Sequence, residues 1–179
     1  MFPNKLPWVA FVLSHVAFWG SLCISADKLP AKMATHFDAA GVANDWMSRT
    51  SYLQFMGGMT LGLSLFMLGI IYTIRYLPTS LINLPNREYW LSGDRRPYSL
   101  RDLFQAGVWL CALETLFMTG MHWLTVKANS AVPERLSNVG FWGLMVVMFL
   151  GLGVWIYRLY CRFHKPPTEP GGTLSRVAR

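Results

Sequence analysis

This sequence predicts an all-α membrane fold with four transmembrane helices, both termini cytoplasmic and a short ordered extracytoplasmic cap between helices 1 and 2. Three observations predict it. Only 14% of the residues are charged and 53% are hydrophobic, whereas a soluble domain is nearer a quarter charged. Four stretches are mainly apolar over roughly 20 residues, the length a helix needs to cross hydrocarbon. The basic residues collect between those stretches, with a bias to one side. A net charge of +7 would suit nucleic acid if the basic residues shared one face. Their placement assigns them to topology instead, and no nucleic-acid partner is expected.

The chain reads as one transmembrane domain over residues 1–165, followed by a disordered polar tail, 166–179. Spans are expected at about 8–25, 52–74, 103–126 and 139–160. With no water in hydrocarbon to satisfy backbone groups, each span should be a helix. Trp8, Tyr52, Trp123, Trp142 and Tyr160 near the span ends fit interfacial aromatic belts. Of the 16 Lys and Arg, eleven fall with the termini and the middle loop and five with the other two loops. The positive-inside rule then puts both termini in the cytoplasm, in a multi-pass membrane protein. Lys5 before an apolar run also suits a signal peptide, but "SLCISADK" is a poor cleavage site, so the first span is expected to stay.

Between the spans, residues 77–102 form the cytoplasmic connector. Pro78, Pro85 and Pro97 should keep it from being one helix. Its apolar residues, Leu81, Ile82, Leu84, Tyr89, Trp90 and Leu91, should lie along the lipid headgroups, the alternative being a docking surface for a cytoplasmic partner. Arg87, Arg95, Arg96 and Arg101 should meet anionic phosphates there. Gly58 and Gly62 make a GxxxG in the second span, with Gly57 and Gly69 beside them, and read as a packing face. Gly140, Gly143, Gly151 and Gly153 read the same way in the fourth. Cys23, Cys111 and Cys161 fall at different depths, so no disulfide is expected.

The cap, residues 29–49, is "LPAKMATHFDAAGVANDWMSR". Pro30 stops the first helix. Gly41 is the natural residue for a positive φ that reverses the chain. Asn44 and Asp45 read as turn formers, Trp46 as an interfacial ring, and Ser48, Thr50 or Ser51 as the candidate N-cap for the second span.

These residues resemble the short motif of domain-of-unknown-function family 1648, found in SdpI-like bacterial membrane proteins. Leu29, Pro30, His36, Phe37, Gly41, Trp46, Ser48 and Arg49 match its pattern, and Ala34 stands where many members have proline. "NLPNREYW", Asn83 to Trp90 with Pro85 inside it, also looks like a family feature. The resemblance implies a bacterial inner-membrane protein. For SdpI-like members it implies immunity to a secreted toxic peptide and membrane signalling. Those members have more spans than the four counted here, so architecture is implied before the immunity role.

Candidate chemistry centres on a few polar residues. His36, with Asp38 and Asp45, could ligate a divalent cation or respond to pH. That set is short of ligands for a metal site, so hydrogen bonding that fixes the cap is the expected role, and no metal is assigned. Trp46 and Arg49 are further ligand or partner candidates. Glu114 falls near the middle of the third span, where an ionised group costs roughly 3 kcal/mol or more. It should therefore face the bundle, with His15 of the first span preferred as its partner. Rise per residue puts the two about 16 and 10 Å from the cytoplasmic ends. His122 could approach the cap but is expected in the interfacial belt. No nucleophile with a base, phosphate loop or cofactor motif is legible, so the reading is non-enzymatic and without cofactor. It makes the protein a lipid-embedded binder of a peptide or other ligand in sensing or immunity, or else an accessory subunit of a larger membrane complex.

Overall fold

The computed structural model describes residues 5–166, so the tail expectation lies outside the described residues. Its long helices are α1 (Leu6–Ala26), α2 (Arg49–Thr73), α4 (Arg95–Ala128) and α5 (Asn138–His164), with a single turn, α3 (Arg87–Trp90), before α4. All four long helices have the length and hydropathy to cross a membrane. Their starts are set locally. Ser48 Oγ accepts from Ser51 N at 3.0 Å to cap α2, and Ser137 Oγ accepts from Gly140 N at 3.1 Å to cap α5.

The cap is not helical. Strands β1 (Lys32–Phe37) and β2 (Ala43–Ser48) form an antiparallel hairpin with Met33 opposite Met47 and Ala34 opposite Trp46. The all-α expectation therefore holds for the spans and fails for the cap. Asn44 and Asp45, read as turn formers, lie in β2, and the reversal is made one step earlier. There Asp38 Oδ1 accepts from Ala40 N (2.9 Å) and Val42 N (2.8 Å), and Gly41 has φ +79°.

A second correction concerns the connector. Helix α4 begins at Arg95, not near 103, and is 34 residues long. At 1.5 Å per residue that is about 50 Å, well beyond the roughly 30 Å hydrocarbon core. Pro97 does not prevent it, because a proline in the first turn lies among N–H groups without intrahelical partners. Nor do the connector's apolar residues spread outward. Ile82, Leu84, Trp90 and Leu91 are buried together against Phe163 of α5. Trp90 Nε1 donates to Phe163 O at 2.7 Å, Asn86 Nδ2 donates to His164 O, and Ser99 Oγ donates to Trp90 O at 2.8 Å. Leu81 remains exposed.

Helix α4 is the axis, packing on α1, α2 and α5, while α5 rests chiefly on α4. Large apolar side chains such as Leu13, Val16, Leu65, Phe66 and Val147 point outward. Ser14, Thr60, Ser64, Glu114 and Thr115 point inward. That inversion suits a bundle whose outer surface is lipid and whose helices associate through small and polar residues. The glycine reading needs correcting too. A Cβ added at Gly58 or Gly62 would meet nothing within 4 Å, so GxxxG is not a packing face within this chain. Gly57 is the close-packed glycine of α2, against the Trp19 ring. On α5, Gly140 meets Leu124 and Gly151 meets Leu113, whereas Gly143 and Gly153 are open. All three cysteines are free.

Candidate functional site

At the cap end, the hairpin is clamped to the bundle at three places. Asn129, just past α4, holds both backbone groups of Ala34: its Oδ1 accepts from Ala34 N at 2.7 Å and its Nδ2 donates to Ala34 O at 2.8 Å. The turn rests on the segment leading to α5, with Leu136 N donating to Gly41 O at 2.8 Å and Asn138 Nδ2 donating to Ala39 O at 3.2 Å. Arg49 closes the base, donating its guanidinium to Leu29 O (3.1 Å) and its backbone N–H to Ala31 O (3.0 Å). Leu29 and Met33 are buried in a cluster with Phe18, Leu22, Tyr52 and Met56, and Met47 packs against it. Pro30 is exposed just after α1.

The acidic and imidazole groups of the cap do not converge. His36 Nδ1 is 2.6 Å from Asn44 Oδ1, so the ring N–H donates across the hairpin. Asp38 is committed to the turn, and Asp45 Oδ1 accepts from Trp46 N at 2.8 Å. Among the described residues no group of three or more His, Cys, Asp or Glu could hold a metal ion. Trp46 is exposed, with the Lys32 ammonium 5.4 Å from its ring centroid. Between the turn and the helices lies a groove of about 370 Å³. One wall is Thr35 to Ala39; the other is Met121, Leu136, Asn138, Phe141 and Trp142.

Directly beneath the cap sits His122, which is fully buried rather than in an interfacial belt. Its Nε2 is 2.9 Å from Ser25 Oγ and its Nδ1 is 2.9 Å from Tyr52 OH. Ser25 Oγ also donates to Leu22 O at 3.1 Å. The set is satisfied when the imidazole proton sits on Nε2, so that Nε2 donates to Ser25 and Nδ1 accepts from Tyr52. One side chain thus ties α1, α2 and α4 together.

Two turns further along α4 is a second polar layer. Glu114 is 6% exposed and faces α2, where Ser64 Oγ donates to its Oε2 at 3.1 Å. The expected His15 partnership is not made directly. His15 Nδ1 donates to Phe11 O at 3.0 Å, and the groups meet only through Thr115, whose Oγ1 lies 3.4 Å from both His15 Nδ1 and Glu114 Oε2. Thr115 directs its own proton to Cys111 O at 2.8 Å. Glu114 Oε1, Thr60 Oγ1 and His15 Nε2 are buried without a hydrogen-bond partner. A buried polar group left unpaired costs about 1–3 kcal/mol. Three such groups on three helices make this layer a cost to the bundle rather than a source of stability.

Sequence reasoning missed Asn129, Ser25, Ser64 and Thr60, and placed Tyr52 in a belt. The available signal was spacing: Ser14, Ser21 and Ser25 in the first span, and Thr60 and Ser64 in the second, recur at helical intervals within apolar runs. In the connector run, Asn83 and Pro85 are exposed, while Asn86 and Trp90 make the contacts with α5.

No curated protein matches this chain, and no solved structure matches it. The family model described as domain of unknown function (DUF1648) matches residues 8–61. The match takes in α1, the hairpin and the first half of α2, with His15, Ser25, His36 and Tyr52, and stops short of Ser64, Glu114 and His122. Over residues 8–61 the chain is similar to the DUF1648 domain.

Proposed function

We propose that this chain is a non-enzymatic, SdpI-like inner-membrane protein of a bacterium that binds a membrane-active peptide at its cap and serves in sensing or immunity. The groove between the hairpin and the α4–α5 helices carries this reading. Its wall of Thr35 to Ala39 carries the polar side chains of Thr35, His36 and Asp38, and Phe141 and Trp142 opposite offer aromatic surface, a pairing that suits an amphipathic peptide at a membrane boundary. Because Asn129 holds Ala34 next to that wall, a peptide that shifts β1 pulls on α4, which carries His122 and Glu114. The positive-inside bias supports a groove outside the cytoplasm, where a secreted peptide arrives.

The test is survival of cells making the protein when challenged with secreted membrane-active peptides. Protection that is lost in Trp142→Ala and in the groove-filling Thr35→Trp, at parental protein levels, is the expected result. Protection unaffected by both variants overturns the assignment. A specific observation favours a second reading as an accessory subunit. Within its apolar run α5 has no buried residue, leaving Trp142, Val146, Val147, Phe149, Leu150 and Val154 on an open face. Purification in mild detergent separates the two, since a stoichiometric membrane partner on α5 would favour the subunit.

A further inference from the structure

A cationic groove at the opposite end of the bundle is unused by the cap-end reading. It has a volume of about 400 Å³ and lies where α2 ends and α4 begins, lined by Arg75, Arg96, Pro97, Leu100, Arg101 and Phe104. Three guanidinium groups and no carboxylate line it. Among the described residues the ion pairs are Arg87–Glu88 and Arg162–Asp102, so none of the three is neutralised by an acid.

Two of these arginines are held in place by the fold. Arg96 donates to Thr79 Oγ1 at 2.8 Å and to Leu77 O at 2.6 Å, and the Arg75 guanidinium lies 3.6 Å from the Tyr72 ring centroid. Arg101 differs, because its Nε is buried without a hydrogen-bond partner. The local field makes the charge costlier still. Helix α4 starts here with Arg95 and Arg96 in its first turn, at the positive end of a helix dipole, and its N-cap acid, Asp94, does not line the groove. Anionic charge is what the groove lacks.

The opposite side of the groove is apolar and continues onto the spans. The Phe104 ring lies 6.4 Å from Tyr72 and 6.1 Å from Trp8. The cationic end thus adjoins helix surfaces whose composition assigns them to lipid. We propose that this groove seats one anionic phospholipid, its phosphate among Arg75, Arg96 and Arg101 and its acyl chain along Leu100 and Phe104. Guanidinium matches phosphate oxygens with paired, charge-assisted hydrogen bonds. The lack of a carboxylate leaves nothing to hold the ammonium of a zwitterionic headgroup, which selects the anionic lipid.

The experiment is thermal unfolding of the full chain in a neutral detergent, titrated with phosphatidylglycerol or with phosphatidylcholine. Phosphatidylglycerol should raise the midpoint saturably and phosphatidylcholine should not. Arg101→Gln should unfold like the parent without lipid and bind phosphatidylglycerol about five-fold more weakly, the share of one arginine near a membrane surface. Arg75→Gln serves as a second variant should the first fold poorly. Arg158→Gln, an exposed arginine outside this groove, should leave the response unchanged. Equal responses to the two lipids, or an equal loss in Arg158→Gln, would show diffuse attraction and overturn the site. Equal stabilisation by inorganic phosphate alone would overturn the lipid assignment. The outcome is independent of the peptide reading at the cap.

Discussion

Replacing Asn129 by alanine should loosen the cap without disturbing the spans. The amide makes three hydrogen bonds: from Ala34 N at 2.7 Å, to Ala34 O at 2.8 Å and to Thr125 O at 2.9 Å. The last is expendable, because Thr125 O also accepts the Asn129 backbone N–H at 3.0 Å. The other two are not, since Ala34 is fully buried and its N–H and C=O would lose the partner that reaches them from α4. At about 1–3 kcal/mol for each unpaired group, and with some recovery by water, the hairpin should lose about 2–4 kcal/mol. The readout is hydrogen exchange of residues 31–49, with thermal unfolding in detergent as a check on the whole bundle. Cap amides should exchange roughly thirty-fold faster or more, the factor for 2 kcal/mol. Asn129→Asp sharpens the test, because it keeps the acceptor for Ala34 N and places a second acceptor against Ala34 O. It should resemble the alanine variant. Cap exchange within about two-fold of the parent in Asn129→Ala would refute the reasoning, showing local opening governed by Met33, Met47 and Arg49 instead.

Gly41→Val should destabilise the hairpin by about 1–2 kcal/mol or more, since its φ of +79° strains a β-branched residue and the added carbon would meet Leu136 O. Unchanged melting in detergent would contradict this. Glu114→Gln keeps an oxygen for Ser64 Oγ and should unfold within about 1 kcal/mol of the parent, a larger loss showing that the charge itself holds the layer. For orientation, single cysteines at Ala40 and Ser80, with Cys23 and Cys161 replaced because they are exposed, should label differently with an impermeant thiol reagent. Ala40 should react in intact cells and Ser80 only after lysis; the reverse pattern would invert the topology.

The spans were legible because crossing hydrocarbon demands length and apolarity, both of which a single sequence displays. Their ends were less so. Arg95 to Asp102 is polar and contains Pro97, and reads as loop, yet it is the start of α4 because first-turn proline costs no internal hydrogen bond. The hairpin was hidden for a different reason. "KMATHF" and "ANDWMS" are six residues each, with Asn44 and Asp45 inside the second. Those residues favour turns on their own, and their strand conformation is imposed by pairing with β1 and by the clamp at Asn129. Gly41, by contrast, was readable, since few other residues tolerate its backbone.

The Glu114 layer shows where depth along a helix stops being informative. Counting rise per residue correctly brought His15 near the level of this layer, but contact also depends on the angle around the helix axis. Neighbouring residues differ by about 100° on that axis. Glu114 and Thr115 therefore point to different helices: Glu114 meets Ser64 of α2, and Thr115 meets His15 of α1. The same geometry explains His122. Eight residues beyond Glu114, slightly more than two turns, it returns to the face between α1 and α2 and reaches both Ser25 and Tyr52. A sequence gives each helix's polar stripe, but the angular setting of three helices about α4 decides which stripes meet. Apolar clusters pack the two ends, around Phe18 and Met56 near the cap and around Trp90 and Phe163 near the connector. Between those ends the mid-span polar groups meet only where their angles allow, and Glu114 Oε1, Thr60 Oγ1 and His15 Nε2 stay buried and unpaired.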